Sequence, residues 1–133
     1  MLGDLIGETR GKRTGRRVLS TDGTMKVEVS FEDDGKTLGV DLHGIGTYWS
    51  TVRPDGKLYG EGDGVMMGSG GEMATWKGQG LGKFGAGGAV SYRGALYFLT
   101  SSAKLAKLNE AVGVFEYEVD AQGNTHTKLW EWK

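Results

Sequence analysis

Glycines recur at alternate positions in successive segments of this chain: Gly44 and Gly46, then Gly60, Gly62 and Gly64, then Gly78, Gly80 and Gly82, and then Gly94. Side chains of an extended strand alternate between its two faces, so a step of two places each set on one face. The turn sequence RPDG at residues 53–56 folds residues 37–53 back on residues 57–67. This brings Gly46 near Gly64, and the same folding brings the 60–64 set near the 78–82 set. The expected product is a glycine stripe across neighbouring antiparallel strands, where missing side chains admit the sharp bending a small sheet needs to close. Parity also identifies the inside. Leu42, Tyr48, Leu58, Met66, Trp76, Tyr92, Leu96 and Phe98 share the glycine face, whereas Asp41, His43, Glu61, Asp63, Lys77 and Arg93 point away.

The remaining periodicity is also that of strands. MKVEVSF at residues 25–31 alternates Met25, Val27, Val29 and Phe31 with polar residues, and VFEYEVD at 114–120 sets Phe115, Tyr117 and Val119 opposite Glu116 and Glu118. TDG at 21–23, DDG at 33–35 and AQGN at 121–124 read as hairpin turns. Only residues 101–112 space their apolar side chains like a helix, through Leu105, Leu108 and Val112. A chain of 133 residues supports one core, and no linker divides it. The expected fold is therefore all-β: residues 1–133 as a single closed antiparallel barrel, calycin-like, of about eight strands, with a short helical turn near residues 102–111.

Several function classes lose support. GLGKFG at residues 80–85 matches a dinucleotide glycine pattern, but AGGAVSYRGALYF after it reads as a strand where that fingerprint requires a helix. GEGDG at 60–64 resembles one unit of a calcium-binding repeat without the repetition. With His43 and His126 as the only histidines and no cysteine, a zinc site would need both histidines and added carboxylates, so no metal and no cofactor are expected. GxSxG is absent, which argues against a serine hydrolase. The basic run RGKRTGRR at 10–17 reads as a charged edge strand, and the net charge of −1 argues against a nucleic-acid partner. No apolar run approaches the roughly 20 residues of a spanning helix, so no membrane partner is expected. MLGDLIGETRGKR at the N-terminus lacks the apolar segment and cleavage site of a secretory signal, which makes a cytoplasmic location the expectation.

The segment from Tyr92 to the end, YRGALYFLTSSAKLAKLNEAVGVFEYEVDAQGNTHTKLWEWK, contains LxxLxxxxGxFxYxVD followed by a last hairpin. In this pattern, and in TGRRVL at 14–19, the chain resembles the allene oxide cyclase-like barrels, particularly small bacterial members of that group. The resemblance implies a compact antiparallel barrel, a mostly apolar cavity open at one end, and frequent homo-oligomers. The plant cyclases guide an unstable epoxide through ring closure with a shaped pocket, a bound water and a carboxylate. LNEAVGVFEY stands here in place of their GGSGIFEG-like segment, so the fold carries over and the catalytic residues do not.

The functional expectation is a small apolar ligand in the barrel interior. The alternatives are an isomerase or cyclase using the same pocket, and a structural or interaction module with a filled core. Tyr48, Trp76, Tyr92 and Tyr117 combine apolar area with a polar tip and are the candidate ligand-binding residues. Titration with NAD or ATP should give no saturable binding; micromolar binding abolished by Gly80→Val in a folded variant would restore the nucleotide reading of GLGKFG.

Overall fold

A computed structural model describes residues 2–133. Eight strands follow one another around a closed antiparallel barrel: β1 (Leu2–Ser20), β2 (Lys26–Thr37), β3 (Val40–Val52), β4 (Leu58–Met67), β5 (Met73–Phe84), β6 (Val90–Thr100), β7 (Val112–Val119) and β8 (Asn124–Trp132), with β8 pairing back to β1. The glycine register matches the expectation from parity. Gly46 opposes Gly64, Gly62 opposes Gly78, and Gly80 opposes Gly60 on one side and Gly94 on the other.

The hairpin turns at 21–23, 53–56 and 121–124 form as read, each with a left-handed glycine: Gly23, Gly56 and Gly123. DDG at 33–35 does not turn. β2 runs through it, and the chain reverses at Leu38 and Gly39, with φ of 51° and 78°. Positive φ at both central residues is the geometry whose twist matches paired strands. Leucine is held in it by tertiary packing: Leu38 lies against the buried core, and its N–H donates to the Ile6 carbonyl at 2.8 Å.

GLGKFG is strand: β5 runs to Phe84, and a three-residue 3-10 turn, Ala86–Gly88, leads into β6. The helical segment is a 3-10 helix, Ala103–Glu110, and Val112 already belongs to β7. Three residues per turn stack Leu105 directly on Leu108, and both are completely buried. Asn109 fastens this segment to the end of β6, accepting from Thr100 N and donating to Thr100 O, both at 2.9 Å.

Inside the barrel lie two apolar clusters. One joins Leu42, Met66, Ala74, Phe98 and Leu129 to the leucines of the 3-10 segment and closes that end. The other, at the opposite end, is Leu58, Tyr92, Tyr117 and Val119. The basic run corrects the edge reading in part. Arg10 and Lys12 are paired on both sides, to β2 and β8, and only beyond the last β8 pair at Lys12 does β1 continue with β2 alone. Among the described residues, no helix is long and apolar enough to cross a membrane.

The glycine stripe is filled by rings from neighbouring strands. A methyl group on Gly64 would stand 2.5 Å from the Trp76 indole, and one on Gly46 would stand 2.5 Å from the Phe31 ring. Gly64→Ala should therefore destabilise the protein by about 1–3 kcal/mol in urea unfolding, the usual penalty for overpacking. Gly15→Ala, where a methyl meets no atom within 4 Å, should change stability by less than about 0.5 kcal/mol. Equal effects at the two positions would contradict this account of the stripe.

Candidate binding cavity with a buried carboxyl

Between the two apolar clusters the interior is not filled. A cavity of about 120 Å³ remains, walled almost entirely by apolar atoms, and Tyr48, Trp76, Tyr92 and Tyr117 all line it. The strand register explains why these four meet. Tyr92 and Tyr117 are directly paired on β6 and β7, Tyr48 lies across Gly62, and Trp76 lies across Gly64. Phe31 joins them, with ring centroids 5.4 Å from Tyr117, 6.1 Å from Tyr48 and 6.4 Å from Trp76. Tyr48 meets Tyr117 edge-on at 5.7 Å.

The residue that changes the chemistry of this space is Asp33. It continues the inward parity of Val29 and Phe31 on β2, lines the cavity and is only 8% exposed. The strand on one side makes room for its carboxyl. Gly11 of β1 and Gly44 of β3 are its register partners; a methyl on Gly44 would collide with Asp33 Oδ1, whereas one on Gly11 would first meet the β2 backbone at Glu32 O. Thr9 Oγ1 donates to Asp33 Oδ2 at 3.0 Å. Among the described residues, no lysine, arginine or histidine forms an ion pair with it. Burial pushes its pKa above the ordinary carboxylate value, against the Thr9 hydrogen bond, and the like charge of Asp34 adds to the rise.

The phenols around it stay protonated. Burial pushes Tyr48 up to about 12 and raises Tyr92 as well. Tyr117 is raised furthest, first by burial and then by the nearness of Tyr48 and Asp33. The hydroxyls of Tyr92 and Ser50 share a hydrogen bond of 2.5 Å. Tyr117 Oη, by contrast, is buried beside the Tyr48 hydroxyl, a proximity that contributes to its raised pKa, and lies outside hydrogen-bond geometry with every described residue. A cavity with apolar walls, one carboxyl and one unsatisfied phenol can hold an apolar molecule and read a single polar group on it.

The histidines lie elsewhere. His43 is on the outer face of β3, bonded to Asp34 at 2.9 Å and Glu32 at 3.0 Å, and these contacts raise its pKa. His126 is on β8 against Glu8 at 2.6 Å, with β1 and β2 lying between the two histidines.

Sequence reasoning assembled the four aromatic candidates but passed over Asp33, Thr9 and Phe31 as a group. Asp33 was hidden by DDG, which reads as a turn. The signal that reveals it is parity, since Val29, Phe31 and Asp33 step by two from an apolar run.

No protein-family model matches the sequence, and no curated protein matches it. Solved structures do resemble it in shape. A protein of unknown function from Clostridium acetobutylicum ATCC 824 superposes with a TM-score of 0.84 at 14% identity, covering 98% of this chain and 99% of that one. A conserved protein of unknown function from Rhodopseudomonas palustris gives 0.82 at 13% identity, covering 98% and 97%. A beta-barrel like protein from Acinetobacter baumannii AYE gives 0.78 at 15%, covering 100% and 96%. At such identities the likeness establishes the eight-stranded barrel and nothing about chemistry.

Asp33 should be visible in the pH dependence of stability. Its folded pKa lies above the ordinary 3.8, so between the two values the native state keeps a proton that the unfolded chain has released. The stability it contributes is present at low pH and is lost as pH rises through the folded pKa. The unfolding free energy of the wild type relative to Asp33→Asn should therefore fall between acid conditions below 3.8 and neutrality. A pH-independent difference would show that the carboxyl is not held in apolar surroundings.

Proposed function

We propose that the protein binds a small, predominantly apolar molecule inside its barrel. The observation that carries this reading is the cavity of about 120 Å³ containing the buried Asp33 carboxyl. A packed structural core has no use for either. Apolar cavities of roughly 150 Å³ stay dry and accept a molecule of benzene's size, so the guest, or the part of it that enters, is a single ring or a short branched chain. The 3-10 segment with Leu105 and Leu108 closes one end of the barrel. The resemblance of the C-terminal pattern to allene oxide cyclase-like barrels supports the same assignment, because those barrels hold their substrate in the apolar interior.

Asp33 beside Tyr117 favours a second reading, an isomerase in which the carboxylate takes a proton from a carbon of the bound molecule and returns it at another. A small ketone tests it. In deuterated buffer, cyclohexanone should exchange its α-protons faster with the wild type than with Asp33→Asn, and equal rates would remove the isomerase reading while leaving binding intact.

Binding itself is tested with toluene. Ligand at one hundred times Kd stabilises a folded protein by about 2.7 kcal/mol, so saturating toluene should raise Tm by several degrees. Amide shifts should concentrate on β2, β3 and β5, where Phe31, Tyr48 and Trp76 reside, and Leu96→Phe, which adds atoms to the cavity wall, should weaken them. Absence of any Tm or amide shift with toluene would remove the neutral apolar guest from this reading.

A further inference from the structure

We propose that the cavity is built for an organic cation: a primary or secondary ammonium group carried on a ring or short alkyl body, with the nitrogen between Asp33 and Tyr117 and the aromatic walls around it. This rests on the barrel interior being a binding site and adds the chemical class of its guest.

Three observations converge on a positive guest. The first is the uncompensated carboxyl. Asp33 has one hydrogen bond, from Thr9, and no ion pair among the described residues; the like charge of Asp34 and the opposite charge of His43, which is bonded to Asp34 on the outer face, act on it only from a distance. Arg13, on the inward face of β1, does not neutralise it. Its guanidinium lies against the β7–β8 turn, where a methyl on Gly123 would stand 3.4 Å from Nη2; its charge reaches the Tyr48 hydroxyl, but among the described residues it makes no ion pair with Asp33. A buried carboxylate lacking a counter-charge is strongly unfavourable, and a cation entering the same space supplies the missing partner.

The second is the wall. Phe31, Tyr48, Trp76 and Tyr117 present a set of rings with centroids 5.4–6.4 Å apart. Ring faces attract a cation through their quadrupole, most strongly where water is excluded. An apolar guest would gain as much from leucines.

The third is Tyr117 Oη, buried beside the Tyr48 hydroxyl but outside hydrogen-bond geometry with every described residue. Its oxygen can accept a hydrogen bond from an N–H or O–H of a guest. An ammonium has two or three N–H donors, enough to serve both Asp33 and Tyr117 at once. A neutral alcohol has one, and a carboxylate-bearing guest such as a fatty acid has none and is repelled by Asp33.

Benzylammonium and its neutral isostere benzyl alcohol separate the possibilities, with binding measured by calorimetry and by amide shifts on the full chain. Benzylammonium should bind the wild type at least about tenfold more tightly than benzyl alcohol, the factor a hydrogen bond to a charged group carries. Asp33→Asn should remove that preference while leaving benzyl alcohol bound. Phe31→Leu, which keeps the wall apolar and removes one ring face, should weaken benzylammonium more than benzyl alcohol, and it provides the answer where Asp33→Asn fails to fold. Benzyl alcohol binding as tightly as benzylammonium, or a cation preference that survives both substitutions, would overturn the proposal and leave apolar binding standing. Failure of both probes and of toluene to bind the folded wild type would overturn the two together.

Discussion

The narrow interior of an eight-stranded barrel is the constraint on which the rest of this structure depends. Such a barrel is only just wide enough for side chains to fill, so a large ring from one strand requires a neighbouring strand to give up its own side chain. The chain meets this by alternation across strands. Trp76 lies on Gly64, Phe31 on Gly46, Tyr92 on Gly82, and Phe115 approaches Gly80. The glycines are thus the complementary surface of the aromatics, and their period of two is that of the strand itself. Close backbone approach is a second use: at Gly94 an added methyl would meet the backbone of β5 directly.

This pairing of large with small leaves the two ends unlike. At one end, Leu42, Met66, Phe98 and Leu129 interlock with Leu105 and Leu108 and exclude everything else. Toward the other, the inward positions are aromatic, and rigid planar groups meeting at tilts of 44° to 84° cannot fill space as flexible aliphatic chains do. The cavity sits where these two kinds of packing meet. Ring-to-ring contacts of this type contribute about 0.5–1.5 kcal/mol each beyond their burial, so an aromatic end can remain stable while still leaving room.

The sequence makes the barrel legible because its strongest signals are local. Alternation fixes which face of each strand is inside, and RPDG fixes how β3 and β4 pair, so Gly46 opposite Gly64 follows from counting. The same counting brings Tyr48, Trp76, Tyr92 and Tyr117 inward. What counting cannot supply is a decision between two valid local readings. DDG carries good turn chemistry, whereas Leu38 at positive φ runs against leucine's own preference; the buried face of Leu38 and its hydrogen bond to Ile6 settle the reversal at Leu38 and Gly39, immediately after Thr37, the last residue of β2. The 3-10 segment differs from an α-helix for a similar reason, since Leu105 and Leu108 must both cover the barrel end. Cavity volume was out of reach altogether, because it depends on how the rings tilt.

Asp33 is where the packing logic and the chemical logic separate. Elsewhere the inward glycines answer to a neighbouring ring, aliphatic side chain or backbone, as Gly64 does to Trp76, Gly78 to Leu96 and Gly94 to the β5 backbone, and the missing side chain is explained by filling. At Asp33, β3 gives up a side chain at Gly44 to admit a carboxyl that then receives a single hydrogen bond from Thr9. A leucine or methionine in that space would bury more apolar area and desolvate no charge, and replacing buried charges with apolar groups of similar volume is often neutral or stabilising. The arrangement therefore runs against stability at a position that faces a cavity and an unsatisfied phenol. Local violations of packing economy in an otherwise consistent fold concentrate at functional sites. By that argument the chemistry of this barrel is to be sought at Asp33, and the four aromatic residues that the sequence singled out are its surroundings.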